Sequence, residues 1–383
     1  MRILMVSMNS IHFVRWTQQL KDSGHEVFWF DILDGGRAEG LPWVYQITGW
    51  KQKFPNFKGR YFLKKRVPFL YKKLSFLFEN NTEKVFEKVL HDVKPDMVHS
   101  VVMYISCVPI LNVMQKHDTL TWIYSSWGSD LYYFKNIHTY KQDILRVLPR
   151  VNHLITDCKR DISIAKKLGF KGQVLGTFPG GGGFDYKETN KYIKPVSKRS
   201  TILVKGSQGR SGRAIEVIKA LELIKEELKG YQIIVFGADK EVENYITRKG
   251  ISTKILLKVL SRSNFLPHDA ILKLMGEAMI YIGNSNSDGM PNTLLEAIAQ
   301  GVFPIQSNPG GASSEVIIHG ENGFLIENCN DLEEIKKLII KAISNSELME
   351  KAFEINQNNI KPKFERTLIK KQVLNAYSKV LKN

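Results

Sequence analysis

Short apolar runs alternate with amphipathic stretches along this 383-residue chain, and the alternation starts twice. Residues 3–7 read as a buried strand, 8–12 as a polar loop, 13–23 as a helix stopped by Gly24, and 27–30 as a second strand. Strand, loop, helix, strand is how a doubly wound parallel sheet begins. The same signals resume at 201–204, with a glycine-rich loop, a helix over 214–228 and a strand at 232–236. A chain that restarts in this way, and is longer than one hydrophobic core usually serves, is expected to form two α/β domains. The polar, Lys-rich segment 186–200, after Pro179-Gly180-Gly181-Gly182-Gly183, reads as the linker between them.

The intervening elements follow from the same periodicity. Helices are expected at 82–93, 105–115 and 160–168, and strands at 96–102, 120–124 and 153–157. In the second half, helices are expected at 241–248, 267–277, 313–319 and 332–344, and strands at 255–257, 279–282, 302–305 and 323–326; the remainder is mostly helical with a break at Pro362. Ligands of open α/β sheets sit at the carboxyl ends of the strands. His99 and the loop Trp127-Gly128-Ser129-Asp130 are therefore site candidates, with a hydrogen-bonded core histidine as the other reading of His99. The first strand–helix turn lacks GxGxxG, which argues against a classical dinucleotide site there.

The formal net charge is +17, which points to an anionic partner. Residues 40–78 contain no Asp or Glu, and interleave Lys51, Lys53, Lys58, Arg60, Lys64, Lys65, Arg66, Lys72 and Lys73 with Trp43, Trp50, Phe54, Phe57, Tyr61, Phe62, Phe69, Tyr71, Phe76 and Phe78. That pattern suits an anionic membrane surface, where rings enter the interface and cations meet headgroups. A solvated basic face over an ordinary core is the other reading. No nucleic-acid-binding motif accompanies the charge, so no nucleic acid is expected. Cys107, Cys158 and Cys329 lie far apart and read as reduced core thiols. MRILMVSMN reads as a first strand and not as a signal peptide, and no run of 18 or more apolar residues is present, so a cytoplasmic protein is expected.

Two stretches carry chemistry. Lys205-Gly206-Ser207-Gln208-Gly209-Arg210-Ser211-Gly212-Arg213 places glycines and three cations before a helix, a favourable seat for phosphate. Residues 285–311 put Asp288 in a loop before a helix bearing Glu296, with Pro291 near the first helical position. Carboxylates accept from sugar and ribose hydroxyls, and the N–H groups of Gly289, Met290 and Asn292–Thr293–Leu294 could take a diphosphate. A nucleotide diphospho-sugar satisfies all of these groups. An Asp288 that merely caps the helix, with an exposed Glu296, accounts for the pattern about as well.

Asp288-Gly289-Met290-Pro291 with Glu296-Ala297, Ala299 and Gly301 resembles the signature E-G-x-P-x-x-x-x-E-A-x-A-x-G of retaining glycosyltransferase family 4, within the group 1 glycosyltransferases. The likeness extends through Phe303-Pro304-Ile305, Gly310-Gly311, Glu315-Val316 and Asn322-Gly323-Phe324-Leu325, and to Leu266-Pro267-His268-Asp269, Pro95-Asp96-Met97-Val98-His99 and Gly24-His25-Glu26-Val27. It implies a GT-B fold, two Rossmann-like domains facing across a cleft: an acceptor domain at 1–190, a nucleotide-sugar domain at 191–360, and a C-terminal helix at 361–383 returning to the first. It implies Asp288 and Glu296 as catalytic residues, on the transferred sugar and the ribose, with Lys205, Gly206, Arg210, Arg213, Gly289, Met290, Pro291, Asn292, Thr293 and Leu294 around the diphosphate. Asn9, Ser10, His12, His99, Trp127 and Asp130 are expected at the sugar or acceptor. Here Asp replaces the usual first Glu, Trp127 stands in place of the His of an H-G-x-D loop, and Ser207 stands where the phosphate-binding Arg is usual.

The reaction so implied is retaining transfer of a hexosyl or N-acetylhexosaminyl group, most simply from a UDP-sugar, to a glycan or lipid-linked acceptor in bacterial surface polysaccharide or glycolipid synthesis. No cofactor or metal is expected; a cytoplasmic enzyme is expected, with peripheral attachment to the inner face of the cell membrane as the option that the basic aromatic stretch leaves open. A GT-B sugar-nucleotide epimerase and a non-catalytic sugar or polyanion binder are the alternatives.

Overall fold

In a computed structural model that describes residues 1–54, 62, 65–264 and 266–380, the chain forms two compact units. The first comprises Met1–Thr156, Ile162–Gly182 and the chain from Gln372 onward; the second comprises Asp157–Asp161 and Gly183–Lys371.

The first unit is built on seven parallel strands: β1 (Arg2–Ser7), β2 (Glu26–Asp31), β3 (Tyr45–Ile47), β4 (Met97–Val101), β5 (Thr121–Ser126), β6 (His153–Thr156) and β7 (Gln173–Thr177), in the order β3-β2-β1-β4-β5-β6-β7. The central strands are apolar runs because both faces are covered. Successive side chains of β4 go to opposite faces: Val98 joins the core with Leu4, Val6, Trp122 and Tyr124, and His99 meets Trp16 and Tyr377. Tyr377 comes from the last helix, Arg366–Val380.

The expected helix at 105–115 is broken. Val102 has φ +68°, a left-handed conformation that strains a β-branched residue. From there the chain makes a π turn (Met103–Cys107) and a 3-10 turn (Val108–Ile110) before an α-helix at Leu111–Lys116. Within the basic aromatic stretch, Phe57, Lys58, Arg60, Tyr61 and Lys64 lie outside the described residues. The remainder contributes β3 and the helix Pro68–Phe78.

The second unit has six parallel strands: β8 (Thr201–Lys205), β11 (Gln232–Ala238), β12 (Leu257–Ser261), β13 (Ala278–Gly283), β14 (Phe303–Ser307) and β15 (Phe324–Ile326), in the order β12-β11-β8-β13-β14-β15. A short hairpin, β9 (Gln208–Gly209) with β10 (Gly212–Arg213), stands between β8 and the helix Ala214–Leu223. Strand alternation again builds two cores. Ile202, Val204, Val235 and Ile282 pack with the helices Ala214–Leu223 and Leu332–Ile343. Leu203, Phe236 and Tyr281 pack with Leu272, Met275, Leu294 and Ile298 from the helices His268–Glu277 and Asn292–Ala299. Fully burying a side chain of Leu294's type is worth about 1.5–3 kcal/mol, so the helix that carries Glu296 is pinned by its apolar face.

Segment 186–200 is not the slack linker its composition suggests. It contains a short helix (Tyr186–Thr189) and 3-10 turns, and long-range partners hold it. Tyr186 donates to the Lys361 carbonyl at 2.8 Å, and Lys361 Nζ donates to Asn190 Oδ1 and Gln357 Oε1 at 2.7 Å each. Arg199, 5% exposed, donates to the carbonyls of Lys194 (2.8 Å), Ala278 (3.1 Å) and Gly301 (2.7 Å). No described helix is long and apolar enough to cross a membrane.

Candidate functional site

In the second unit, β13 delivers the chain to a loop whose polar residues are sunk into the protein: Asn284 and Ser285 are 4% exposed and Ser287 is fully buried. Ser285 N–H donates to Ser307 Oγ at 2.8 Å, and Asn284 Nδ2 to the Cys329 carbonyl at 2.8 Å. These bonds satisfy the buried Ser285 N–H and the Asn284 side-chain N–H, which would otherwise be costly, and they fix the loop before Asp288. Asp288 then lies beside Lys205 at the end of β8, with Oδ2 and Nζ 4.0 Å apart and both side chains about three-quarters buried. At that distance and exposure the pair is worth little on its own, ~0–1 kcal/mol.

The helix starts one residue later than expected, with Pro291 as its N-cap and Asn292 as its first residue. Asp288 is therefore not the cap. Glu296 is not a solvated helix residue either: it is 5% exposed, and Oε1 stands 2.6 Å from His268 Nε2. Neither part of the bland alternative describes the geometry. Tyr281 lies near both carboxylates, donating to Thr293 Oγ1 at 3.0 Å. Burial above all, and then the charges of Asp288 and Glu296, push its phenol pKa up.

Two of the expected diphosphate donors are already used: Gly289 N–H donates to Asp288 Oδ1 (2.9 Å), and Leu294 N–H to the Pro291 carbonyl (3.0 Å). Met290 packs into the core, 6% exposed. The cationic loop also differs from expectation, because the hairpin occupies it. Gly212 permits the hairpin, since a Cβ there would meet the Ser207 carbonyl oxygen at 2.1 Å; a Cβ at Gly206 would meet Ala238 Cα at 2.6 Å. The N–H groups of Ala214 and Ile215, which open the following helix, donate to the Ser207 carbonyl (3.1 Å) and Gln208 Oε1 (3.1 Å). A helix-dipole phosphate seat is thus largely filled by the protein's own hydrogen bonds. Arg210 is exposed on the hairpin tip. Arg213 is tied to the acidic loop: its N–H donates to the Asn284 carbonyl (2.8 Å), and its guanidinium lies against the Asn286 side-chain amide.

The first-unit candidates divide. Asn9 and His12 are exposed, and Ser10 caps the helix Ile11–Thr17 by accepting from Phe13 N–H at 3.2 Å. His99 corrects the sugar or acceptor expectation. It is fully buried, with Nδ1 2.6 Å from Tyr377 Oη and Nε2 2.7 Å from Ser125 Oγ, and burial lowers its pKa to about 3. It is a neutral core histidine. Asp130 is also internal, 2% exposed, its Oδ2 accepting from Met103 N–H (2.7 Å) and Tyr124 Oη (2.5 Å) and so stabilising the turn after the strained Val102. Trp127 follows β5 directly and meets Trp16 edge-on at 6.2 Å; its buried Nε1 has no hydrogen-bond partner.

Sequence reasoning gave no role to two residues that the geometry singles out. His268 was visible only as part of Leu266-Pro267-His268-Asp269. Arg160, in Asp157-Cys158-Lys159-Arg160-Asp161, looked like an ordinary helix start, although a cation flanked by acids was a signal.

Two Rossmann-like units of parallel strands define the GT-B class, and solved structures of that fold align with the whole chain. They include an Anabaena protein, HepE, in complex with UDP and glucose (TM-score 0.71, 15% identity, 99% of this chain and 100% of that one). A glycosyltransferase from Rickettsia africae (TM-score 0.69, 17%, 100% and 99%) and the lipopolysaccharide outer core galactosyltransferase WaaB (TM-score 0.68, 16%, 99% and 100%) also align. At these identities the likeness is one of fold. Residues 186–359, a little under half of the chain, match the family model "Glycosyl transferases group 1". Two curated proteins described as uncharacterized glycosyltransferases are similar. One, from Haemophilus influenzae, is 27% identical over 133 residues (34% of this chain, 36% of that protein); one, from Methanocaldococcus jannaschii, is 31% identical over 150 residues (39% and 37%). The matched regions span little more than a third of those relatives.

Proposed function

We propose that the chain is a retaining glycosyltransferase that takes its sugar from a nucleotide diphospho-sugar held by the second unit. The observation that carries this reading is the pairing of a buried Glu296, oriented by His268, with a partly exposed Asp288 beside Lys205, all within or next to the group 1 family match. Glu296 accepts from the ribose hydroxyls, and Asp288 from the transferred sugar. Lys205 and Arg213 face the diphosphate, where negative charge develops as the leaving group departs. The bond from the anomeric carbon to the phosphate oxygen breaks, the acceptor oxygen bonds to that carbon on the same face, and the acceptor proton passes to the departing phosphate. UDP is the favoured nucleotide, since HepE was solved with UDP and with UDP-glucose.

The acceptor in this reading is a glycan or a lipid-linked sugar, met at the inner face of the cell membrane. An exposed apolar and basic surface supports it: Phe69 is 72% exposed and Phe76 65%, with Leu77 and Phe62 also exposed and Arg66 over the Phe62 ring at 5.7 Å. Rings of this kind enter the lipid interface while cations meet anionic headgroups. A thermal-shift panel of UDP-, GDP-, ADP- and dTDP-sugars tests the donor, because a ligand that binds only the folded state raises its melting temperature. Stabilisation by a UDP-sugar is expected; no stabilisation by any of the four sinks the reading.

A further inference from the structure

The chain leaves the first unit at Thr156, gives the five residues Asp157–Asp161 to the second, and returns to the first at Ile162. Those five residues are packed against the acidic loop of the candidate site. Arg160 is at the centre, with a side chain only 7% exposed. Its Nη1 donates to the Asp288 carbonyl at 2.8 Å and to the Pro309 carbonyl at 2.7 Å. Its Nε donates to Asp161 Oδ1 at 2.9 Å, and Nη2 lies 2.9 Å from the same oxygen. The backbone holds on independently: Lys159 N–H and Arg160 N–H donate to the two carboxylate oxygens of Glu315, at 2.9 and 3.1 Å. The Asp157 carboxylate also lies so close to Gly289 that a Cβ there would stand 2.2 Å from Oδ2.

We propose that Arg160 is a positioning residue for the loop that carries Asp288. One guanidinium ties the Asp288 peptide to the turn at Pro309, and the fully buried Asp161 holds that guanidinium in place. Fixing the Asp288 carbonyl fixes the plane of its peptide. It therefore limits where its carboxylate can point, and a site loses rate steeply when such a group is misplaced. The carbonyls of Asp288 and Pro309 offer no charge of their own, so the contact is geometric. A planar fork with donors at fixed angles makes it, and a lysine ammonium cannot reproduce it. Asp157, Cys158 and Asp161 place three ligand atoms within 4.8 Å of one another, a grouping that could hold a metal ion. The Arg160 guanidinium already bonds the Asp161 carboxylate in that group, so the cluster has an internal cation.

What ligand Asp288 meets rests on the nucleotide-sugar reading; that Arg160 holds the loop does not. The test is therefore read in two ways on Arg160→Lys, which keeps the charge beside Asp161 and loses the fork. In the unliganded full chain, amide exchange over residues 284–290 is expected to quicken by about tenfold or more while β8 and β13 keep their protection. In assays with UDP-glucose, kcat for transfer is expected to fall about tenfold or more with the UDP Kd within about threefold of wild type, the mark of lost orientation and not lost binding. Unchanged exchange over 284–290 overturns the proposal. So does faster exchange spread evenly through the second unit, which marks general loosening. If the wild-type protein binds no nucleotide, the donor reading fails, and the exchange comparison still decides the role of Arg160.

Discussion

His268 Nε2 stands 2.6 Å from Oε1 of Glu296, a carboxylate whose side chain is 6% exposed. His268 is itself 40% exposed, so a solvent-facing ring orients a buried acid. Removing one partner of a buried hydrogen-bonded group costs about 1–3 kcal/mol. His268→Ala is therefore expected to lower stability by about that amount in urea unfolding and to weaken nucleotide binding by about tenfold. His268→Asn, which can still donate from its amide, is expected to recover part of both. Nucleotide affinity unchanged in His268→Ala separates this histidine from the site.

Asp288 and Glu296 are expected to fail differently. Asp288→Asn keeps the loop's size and removes the charge proposed to meet the transferred sugar. Loss of one well-placed electrostatic group costs about 10²–10³ in kcat, with the nucleotide Kd little changed. Steady-state transfer kinetics beside calorimetric UDP binding make the comparison. Equal losses of kcat and affinity in Asp288→Asn contradict the assignment.

The buried His99 makes stability depend on pH in a defined direction. Its folded pKa is lowered from 6.5 to about 3 by burial, so between those values the unfolded state binds the extra proton. Its contribution is fully present above pH 6.5 and is lost as pH falls toward 3, at about 1.4 kcal/mol per pH unit. Between pH 7 and 5 this one group is expected to remove about 2 kcal/mol. His99→Gln, at lower overall stability, is expected to lack that part of the slope in urea melts. An identical slope in the variant shows that His99 does not titrate as its burial demands.

The exposed aromatic surface of the helix Pro68–Phe78 makes a prediction about lipids. Each ring buried at an interface contributes about 1.5–3 kcal/mol. Phe69→Ser with Phe76→Ser is therefore expected to reduce flotation with anionic liposomes by at least about tenfold, without altering the melting temperature. Equal, negligible flotation of the wild type with neutral and anionic liposomes removes the membrane assignment.

Much of the fold was legible because its signals are local. The helix at 82–93 appears with the expected bounds, capped by Asn81, whose Oδ1 accepts from Lys84 N–H at 3.0 Å. Most strands stand within one or two residues of their apolar runs. What the sequence hid was non-local. The expected helix at 313–319 is a single 3-10 turn, Ser313–Glu315. Gly310 and Gly311 precede it at φ +66° and +86°, and Glu315 is drawn to the N–H groups of Lys159 and Arg160. The strand expected at 255–257 runs at Leu257–Ser261 because pairing with β11 sets Leu257 opposite Ile233. In the candidate site, Asp288, Glu296 and Lys205 stood out as candidates by residue type and by resemblance to the family signature. His268 and Arg160 did not, since each acts on a residue 28 or 128 positions away.

The central claim is that the loop and helix around Asp288 and Glu296 bind a nucleotide diphospho-sugar. Calorimetric titration of the full chain with UDP, wild type beside Glu296→Ala, tests it most directly. Saturable binding by the wild type is expected, with affinity at least about tenfold weaker in the variant, as for loss of a charged hydrogen-bond acceptor. The same affinity in both proteins contradicts the claim.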